Sequence, residues 1–225
     1  MNLIAEAISK QYNRNIGAVN SFFAVKEVDF ELAKGKLAVI LGRSGSGKST
    51  FLNMLAGLLQ PSSGNVLYDG TDLYSLSDKE LSRFRNQNIG VIPQVHSLLN
   101  NLSVIENVKF PYLLYEAQDD VEEYALQLLE AVGISELKDV SPSELSGGEM
   151  RRAAIARAMI HKPGIILADE PTADLDDENT NKIYDIFRKT ANQGTSIIMV
   201  THETEAVDYA DVVYRMNAGE LSKIK

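Results

Sequence analysis

The chain has 225 residues, 44% hydrophobic and 24% charged, so it is long enough for one large domain with a buried core. Its formal net charge of −9 and pI of about 4.9 disfavour a surface that binds nucleic acid or anionic lipid. It has no cysteine, which excludes disulfides and thiolate metal sites, and no apolar run approaches the roughly 20 residues that span a bilayer.

The first part of the chain is predicted to form strands. The stretch AVKEVDFEL at 24–32 alternates apolar and polar residues, and KLAVIL at 36–41 follows a Lys-Gly turn. A helix is predicted over 49–58, and Asp69-Gly70 within NVLYDGTDL is typical of a hairpin turn. Further short apolar strands are expected at 89–93, 164–169 and 196–201.

Helical periodicity marks four more segments. The predicted helices cover 103–115, 119–132, 146–160 and 178–192. Buried strands that alternate with helices are typical of an α/β fold with a mostly parallel sheet. The segment from about 95 to 145 has helical patterns but no clear buried strand, so we interpret it as a helical subdomain inserted between two halves of the sheet.

The stretch GRSGSGKST, residues 42–50, matches the phosphate-binding pattern G-x-x-x-x-G-K-S/T. It follows a predicted strand and opens a predicted helix, which is the context that the pattern requires. Its glycines let backbone N–H groups converge on phosphate oxygens, Lys48 is expected to reach the β and γ phosphates, and the Ser49 hydroxyl is expected to bind Mg²⁺. A glycine-rich turn without a ligand is disfavoured by motif and flanks together.

Two acids end the apolar strand in GIILADE, residues 164–170. Asp169, at the strand end, is expected to hold Mg²⁺, as an aspartate does in P-loop nucleotide sites. Glu170 would then lie beside the γ phosphate and polarise a water, a general-base role that supplies a rate factor of about 10²–10⁴. Adjacent acids at a strand end are weak support alone, but together with a phosphate-binding loop in one sheet they indicate a catalytic site.

A second helix start of the anion-binding kind occurs later in the chain. SELSGGEMRRAAIARAMI, residues 143–160, has a serine and two glycines followed by good helix formers. One ATP-sized ligand needs only one such start. The chain resembles the ATP-binding subunits of ABC transporters in the order of its motifs: the phosphate loop at 42–50, glutamine at 94, LSGGE at 145–149, the strand ending at 169–170, LD at 175–176 and histidine at 202.

This resemblance covers essentially the whole chain and implies a single ABC ATPase domain over residues 1–225. The expected fold has a RecA-like P-loop NTPase core with an N-terminal antiparallel β subdomain, about 1–94 and 146–225, and a helical subdomain, about 95–145. In the family two such domains pack head to tail, so the ATP held by one P-loop is capped by the LSGGE of the other. The second helix start would therefore serve the partner's ATP, in an ATP-dependent homodimer.

The resemblance also assigns site residues. Catalytic roles fall to Glu170, His202, Gln94 and Lys48, and Mg²⁺ ligation falls to Ser49, Gln94 and Asp169. Tyr12 takes the place of the aromatic that stacks on adenine, with Phe22 and Phe23 as competing choices. The positions assigned to ATP are Tyr12, Gly42, Arg43, Ser44, Gly45, Ser46, Gly47, Lys48, Ser49, Thr50, Ser146, Gly147, Gly148 and Asp176.

Within the family, EPTADLD at 170–176, LSGGEMRRAAIARAMI at 145–160 and SLLNNLSVIENVKFP at 97–111 are most similar to ATPases of the macrolide-exporter and lipoprotein-release type. This implies that ATP hydrolysis powers integral membrane permease subunits on another chain, in export or mechanotransmission. The chain would then be cytoplasmic, peripheral on the inner face of the cell membrane. Leu98 and Leu99, in an apolar stretch just after Gln94, are predicted either to line a groove for a helix of that subunit or to be local core.

The alternative is an ABC-type ATPase of a non-transport system, in cell division or on DNA or ribosomes. Chromosome-organising members place a long coiled coil between phosphate loop and LSGGE, but the chain between Lys48 and Leu145 has no sustained heptads. Translation-factor types carry two ATPase domains, whereas each motif occurs once here. No nucleic-acid partner is expected for so acidic a chain. A small-molecule kinase would explain the P-loop but neither LSGGE nor His202.

Overall fold

A computed structural model describes residues 1–14, 20–95, 97–115 and 121–225. Residues 15–19, 96 and 116–120 lie outside the description, and the predicted helix over 119–132 therefore begins outside it. Within the described ranges the chain forms an α/β fold with one mostly parallel and one antiparallel sheet, as the sequence predicts.

The described residues form ten strands and six α-helices. The strands are β1 (Leu3–Arg14), β2 (Asn20–Leu32), β3 (Leu37–Leu41), β4 (Ser63–Tyr68), β5 (Thr71–Asp72), β6 (Ile89–Ile92), β7 (Ile165–Asp169), β8 (Ser196–Thr201), β9 (Val212–Asn217) and β10 (Glu220–Lys223). The α-helices are α1 (Lys48–Leu55), α2 (Asp78–Asn88), α3 (Val104–Leu113), α4 (Glu122–Ala131), α5 (Gly147–Met159) and α6 (Asp177–Asn192).

The central sheet has six strands in the order β10-β9-β3-β8-β7-β6. Neighbouring strands run parallel except β9 and β10. Every residue of β7 and β8 is buried, as expected for strands covered on both faces. The carboxyl ends of β3, β6, β7 and β8 lie at one edge of the sheet, which is where open α/β sheets bind ligands.

The second sheet has four antiparallel strands in the order β2-β1-β4-β5. The long β1 and β2 pair with each other, and β4 pairs with the other edge of β1. The predicted turn at Asp69-Gly70 is confirmed, because Tyr68 pairs with Thr71 and both turn residues have positive φ, 46° and 85°. This sheet brings the end of β1 and the start of β2 beside the phosphate-binding loop.

Local sequence explains where several helices begin. Ser77, Ser103 and Ser146 are the N-caps of α2, α3 and α5, each in a reciprocal capping box with a glutamate three residues later. Helix α2 has only two apolar residues, Leu81 and Phe84, which are too few to give the apolar periodicity that predicts a helix. It is absent from the sequence-based prediction, as are β9 and β10.

The core lies on both faces of the central sheet. Successive residues of β3 alternate between two hydrophobic clusters: Leu37 and Val39 join one with residues of α3 to α6, while Ala38 and Ile40 join one with α1 and the antiparallel sheet. The helical segment shares the first cluster with β3, and its division from the core at about 95 and 145 stays a prediction. Among the described residues, no helix is long and apolar enough to cross a bilayer.

Candidate active site

A cavity of about 920 Å³ opens at the carboxyl edge of the central sheet. Most of the positions predicted for ATP, Mg²⁺ and catalysis line it together. They are Tyr12, Arg43, Ser44, Gly45, Gly47, Lys48, Ser49, Thr50, Gln94, Asp169, Glu170 and His202. The elements that bring them together are the β1–β2 pair, the loop between β3 and α1, and the segments after β6, β7 and β8.

The loop between β3 and α1 needs glycine at two positions for different reasons. Gly47 has φ of 109°, and a Cβ there would lie 2.2 Å from the carbonyl oxygen of Ala24. Gly45 has φ of 76° and has open space on its Cβ side. Gly42 and Ser46 are not among the described cavity-lining residues, and a Cβ at Gly42 would lie 2.7 Å from the Ser46 hydroxyl. These two predicted positions therefore pack against each other within the loop and do not face the cavity.

Helix α1 presents an uncapped N-terminus to the cavity. Its N-cap residue is Gly47, no side chain caps it, and its first turn has no acidic residue. The free N–H groups and the helix dipole therefore favour an anion at this end. Lys48, only 7% exposed, donates hydrogen bonds to the carbonyl oxygens of Gly42 (2.7 Å) and Arg43 (3.2 Å), which holds its ammonium group inside the loop.

A hydroxyl and a carboxylate meet where Mg²⁺ is predicted. The Ser49 hydroxyl and the Asp169 carboxyl at the end of β7 both line the cavity. Burial raises the pKa of Asp169 above its usual range, and the nearby Ser49 hydroxyl opposes that shift. No group of three or more potential metal-ligating acids, histidines or cysteines occurs in the described part of the chain. A hard cation with several water and phosphate ligands fits this small oxygen set.

Glu170 stands at the centre of a polar network. Its carboxylate accepts a hydrogen bond from the Thr201 hydroxyl (3.0 Å), lies 3.0 Å from His202 Nδ1 and 3.9 Å from Lys48 Nζ. Its backbone has φ of 48°, a left-handed conformation that costs free energy for a non-glycine residue. Glu170 is buried, whereas the His202 side chain is 70% exposed. Sequence alone gave no sign of Thr201, whose hydroxyl donates to the carboxylate from the end of the neighbouring strand β8.

The three aromatic candidates for the adenine site line the same cavity. Tyr12 pairs with Phe22 across β1 and β2, and their rings stack with centroids 5.7 Å apart. Phe23 lines the same cavity, and all three rings are partly exposed. Amphipathic and apolar rings on the cavity wall offer the flat surface that a purine requires.

Residues of the LSGGE segment line a second cavity, of about 480 Å³. Its lining residues are Ser146, Gly147, Gly148, Arg152, Asp174, Asp176 and Asn179, none of which lines the first cavity. Asp176 is the N-cap of α6 and accepts a hydrogen bond from the backbone N–H of Asn179 (2.8 Å). The predicted signature residues and Asp176 thus lie together, but apart from the phosphate loop of the same chain.

Two arginines of α5 hold the segment that follows β6. Arg151, 3% exposed, donates to the carbonyl oxygens of Pro93 and Gln94 at 2.6 Å each, and Arg157 donates to the carbonyl oxygen of Ser97 at 2.7 Å. Sequence reasoning missed both arginines, because arginine in a helix usually indicates only a solvated face. Arg151 fixes the backbone of Gln94, and Arg157 that of Ser97, to the helix that begins with the signature.

Residues 25–173 match the family model described as ABC transporter. The chain belongs to the ABC transporter family. The recognition made from the motif order is thereby confirmed, and the chain is an ATPase. The relatives described next support its place in the macrolide-exporter and lipoprotein-release class.

Two curated relatives of this ABC transporter chain carry the same description, lipoprotein-releasing system ATP-binding protein LolD. The one from Buchnera aphidicola subsp. Acyrthosiphon pisum is 39% identical over 89% of each chain. The one from Shewanella sp. (strain MR-4) is 41% identical over 99% of this chain and 96% of its own. Such relatives do not favour the alternative of a non-transport system.

The fold agrees with solved structures of the family. A dimeric structure of a bacterial ABC transporter cassette superposes with a TM-score of 0.92 at 31% identity, over 99% of both chains. A dimeric post-hydrolysis state of the same cassette, bound to ADP and Pi, gives a TM-score of 0.89 at 30% identity, again over 99% of both chains. The predicted fold class is confirmed.

Proposed function

We propose that two copies of this chain close around two ATP molecules and that hydrolysis drives a lipoprotein-releasing or related membrane complex. The observation that carries the proposal is the separation of the two half-sites: the phosphate loop lines one cavity and the LSGGE segment another. One copy cannot surround a nucleotide with both. The dimeric cassette similar to this chain and the relatives' role in lipoprotein release support the same assembly.

Phosphate binding rests on α1 and the loop before it. The uncapped N-terminus of α1 and the N–H groups of the glycine loop would receive the β and γ phosphates, with Lys48 neutralising their charge. The Lys48 ammonium is already held in the loop by two carbonyl oxygens, so little side-chain entropy is lost on binding. Arg43, Ser44, Gly45 and Thr50 complete the walls, and Tyr12 with Phe22 or Phe23 would take adenine.

Mg²⁺ fits the pair formed by Ser49 and Asp169. A bound Mg²⁺ would neutralise charge on the phosphate oxygens of ATP as it develops. The raised pKa of Asp169 means that other groups of the chain do not fully offset the cost of burying its negative charge. A bound cation would offset that cost. Gln94, on the cavity wall, is proposed to contact the same ion or its water.

Hydrolysis is assigned to Glu170 and His202. Glu170 would accept the proton of the attacking water, since its carboxylate is buried and held by Thr201. His202, 3.0 Å from Glu170 and largely exposed toward the cavity, would donate to the γ phosphate. Lys48 Nζ lies 3.9 Å from the Glu170 carboxylate. When Lys48 binds the phosphate instead, this ion pair would separate, and the carboxylate oxygen would be free to bind the water.

The signature residues would act on the partner's nucleotide. Ser146, Gly147 and Gly148 form the start of α5, whose dipole favours the γ phosphate. Asp176, in the same cavity, would lie at the contact between the two copies. In this arrangement ATP joins the two chains, and its hydrolysis removes the charge that holds them.

The membrane partner is proposed to be a separate permease subunit, with this chain on the cytoplasmic face. The segment after Gln94 is its proposed docking site. Leu99 is 38% exposed there, while Leu98 packs against the core. Arg151 and Arg157 tie the segment to α5, so a displacement by the partner would reach the signature directly.

The proposal is tested with Glu170→Gln, which keeps the size of the side chain and removes the base. With Mg²⁺ and ATP this variant is expected to form a stable dimer by light scattering, and to be monomeric without nucleotide. The wild-type chain, which hydrolyses its ATP, should dimerise only transiently. A variant that binds ATP but stays monomeric at high protein concentration contradicts the proposal.

A further inference from the structure

Glu203, next to His202, is anchored away from the cavity. Its carboxylate accepts a hydrogen bond from the Thr172 hydroxyl at 2.7 Å and another from the Tyr184 hydroxyl. Its backbone N–H donates to the Thr201 hydroxyl at 3.1 Å. The described residues that line the ATP cavity do not include Glu203, and none of the roles assigned above uses it.

The two hydroxyl groups that hold Glu203 come from parts of the fold that are firmly placed. Thr172 is 2% exposed and lies in the loop between β7 and α6; Tyr184 is fully buried on α6. Burial first, and then the hydrogen bond to Glu203, raise the pKa of Tyr184, so its phenol remains a donor at neutral pH. A charged acceptor with two buried hydroxyl donors forms a strong, directional contact.

Glu170 and Glu203 both link the segment after β7 to the segment at the end of β8, but each glutamate comes from the opposite side. Glu170, at the end of β7, receives the Thr201 hydroxyl and pairs with His202, both from the end of β8. Glu203, after β8, receives the hydroxyl of Thr172, which follows β7. His202 itself is 70% exposed and has little packing to hold its position. Its backbone is held on one side by β8, which ends at the buried Thr201, and on the other side by Glu203.

We propose that Glu203 is a positioning residue for ATP hydrolysis, which holds the His202 backbone against Thr172 and Tyr184 so that His202 and Glu170 stay aligned. The inference rests on the proposed function. The same contact places the start of the 172–176 loop, which leads to Asp176 at the second cavity. Misplacement of a catalytic group by about 1 Å costs roughly 10²-fold in rate, so loss of the anchor is expected to lower turnover.

The test compares Glu203→Ala, Glu203→Gln and the control Glu205→Ala in the full chain with Mg²⁺ and ATP. Glu203→Ala is expected to lower kcat by roughly tenfold to a hundredfold, with the dissociation constant for ATP within about twofold of wild type. Glu203→Gln keeps an oxygen that accepts from both hydroxyls and should restore kcat to within about threefold. Glu205 is an exposed acid two residues along, and its loss should leave kcat unchanged.

A purely structural role predicts a different pattern. It would lower kcat, ATP affinity and the thermal midpoint together, and that result overturns the inference. Wild-type kcat in Glu203→Ala also overturns it, while the proposed ATPase stands if Glu170→Gln is inactive. If Glu203→Ala does not fold, Thr172→Val with Tyr184→Phe removes the donors at nearly constant shape. That double variant should show the same loss of kcat at unchanged ATP affinity, and wild-type turnover in it counts against the inference.

Discussion

The Glu149 carboxylate accepts hydrogen bonds from both the backbone N–H and the hydroxyl of Ser146, at 2.7 and 2.8 Å. These are two of the groups that the proposed dimer offers to the partner's γ phosphate. They also lower the pKa of Glu149, so the group is a carboxylate at neutral pH. The capping box that starts α5 therefore places a negative charge beside the position proposed for a phosphate, and competes with it for Ser146.

Replacing Glu149 by Gln should strengthen the ATP-bound dimer. Glutamine still caps the helix but binds Ser146 as a neutral acceptor, which is weaker by about 1 kcal/mol, or roughly fivefold per site. In the Glu170→Gln background, light scattering at graded protein concentration should give a lower dissociation constant for the dimer. Glu144→Gln, which changes the similar capping box at Ser141, is the control. An unchanged constant would show that Glu149 does not compete.

The raised pKa of Asp169 gives a second expectation for a single residue. An acid whose pKa is higher in the folded chain binds its proton more tightly there, so its stabilising contribution is present at low pH and is lost as pH rises through the folded pKa. Asp169→Asn should therefore raise the Tm of the nucleotide-free chain at pH 7, by roughly 2–4 °C for each kcal/mol of relief, while weakening Mg²⁺-dependent ATP binding.

Calorimetry at pH 7 and at pH 3 checks this sign. The difference in Tm between Asp169→Asn and wild type should shrink at the lower pH. Asp176→Asn is the matched control, because hydrogen bonds from Asn179 lower the pKa of Asp176 and its replacement is not expected to raise Tm. A lower Tm for Asp169→Asn at pH 7 contradicts the account of the buried carboxylate.

At the scale of elements, the sequence predicts what has strong local signals. The helix over 178–192 is α6 at Asp177–Asn192, and the strand at 196–201 is β8 with the same bounds. The helix over 49–58 ends earlier, at Leu55, because Gly57 has φ of 66° and does not continue it. Helix α2 was missed because Leu81 and Phe84 are its only apolar residues, although Ser77 and Glu80 carry a capping-box signal.

The site residues also separate into those that local sequence predicts and those that it does not. The phosphate loop and the acids after β7 follow from motif and context, since backbone groups and the ends of adjacent strands fix their places. The contacts of Arg151 with residues 93–94, and of Glu203 with Thr172 and Tyr184, join positions far apart in sequence. No local pattern encodes such contacts, because they depend on how α5 and α6 pack on the sheet.

Hydrogen bonds from Asn107 hold the turn at residues 99–103, just before α3. The buried side chain of Asn107 accepts from the backbone N–H of Leu99 at 2.7 Å and donates to the carbonyl oxygens of Leu99, Leu102 and Ser103. This fixes the turn that carries the exposed Leu99. A surface ordered before binding loses less entropy when a partner helix docks.

Leu99→Asp is therefore expected to reduce stimulation of the ATPase by the membrane subunits by about tenfold, through a charge placed at the contact. ATP affinity and the turnover of the chain alone should stay unchanged. The control is Leu58→Asp, which places the same charge at another exposed leucine, just after α1, away from the proposed contact. If Leu99→Asp lowers the thermal midpoint and ATP affinity instead, the leucine belongs to the core and the groove prediction is wrong there.

In the whole molecule, each complete ATP site of the proposed dimer is formed by residues of two chains. The half-sites are the two cavities described above, and the fold agrees with dimeric cassettes over nearly its whole length. With a net charge of −9 on each copy, association without ATP is opposed by electrostatic repulsion. Nucleotide and Mg²⁺ would then be required to hold the pair together.

The most direct measurement mixes two defective chains in the Glu170→Gln background, Ser146→Arg and Lys48→Ala. Each is labelled through a single engineered cysteine, because the sequence has none of its own. Neither variant should dimerise alone with ATP: the first lacks both caps and the second both phosphate sites. Their mixture restores one complete site per pair, so energy transfer should appear with ATP and rise with total protein concentration. The account is contradicted if ATP joins either variant to itself as tightly as to the other, or if the mixture stays monomeric at concentrations where Glu170→Gln alone is fully dimeric.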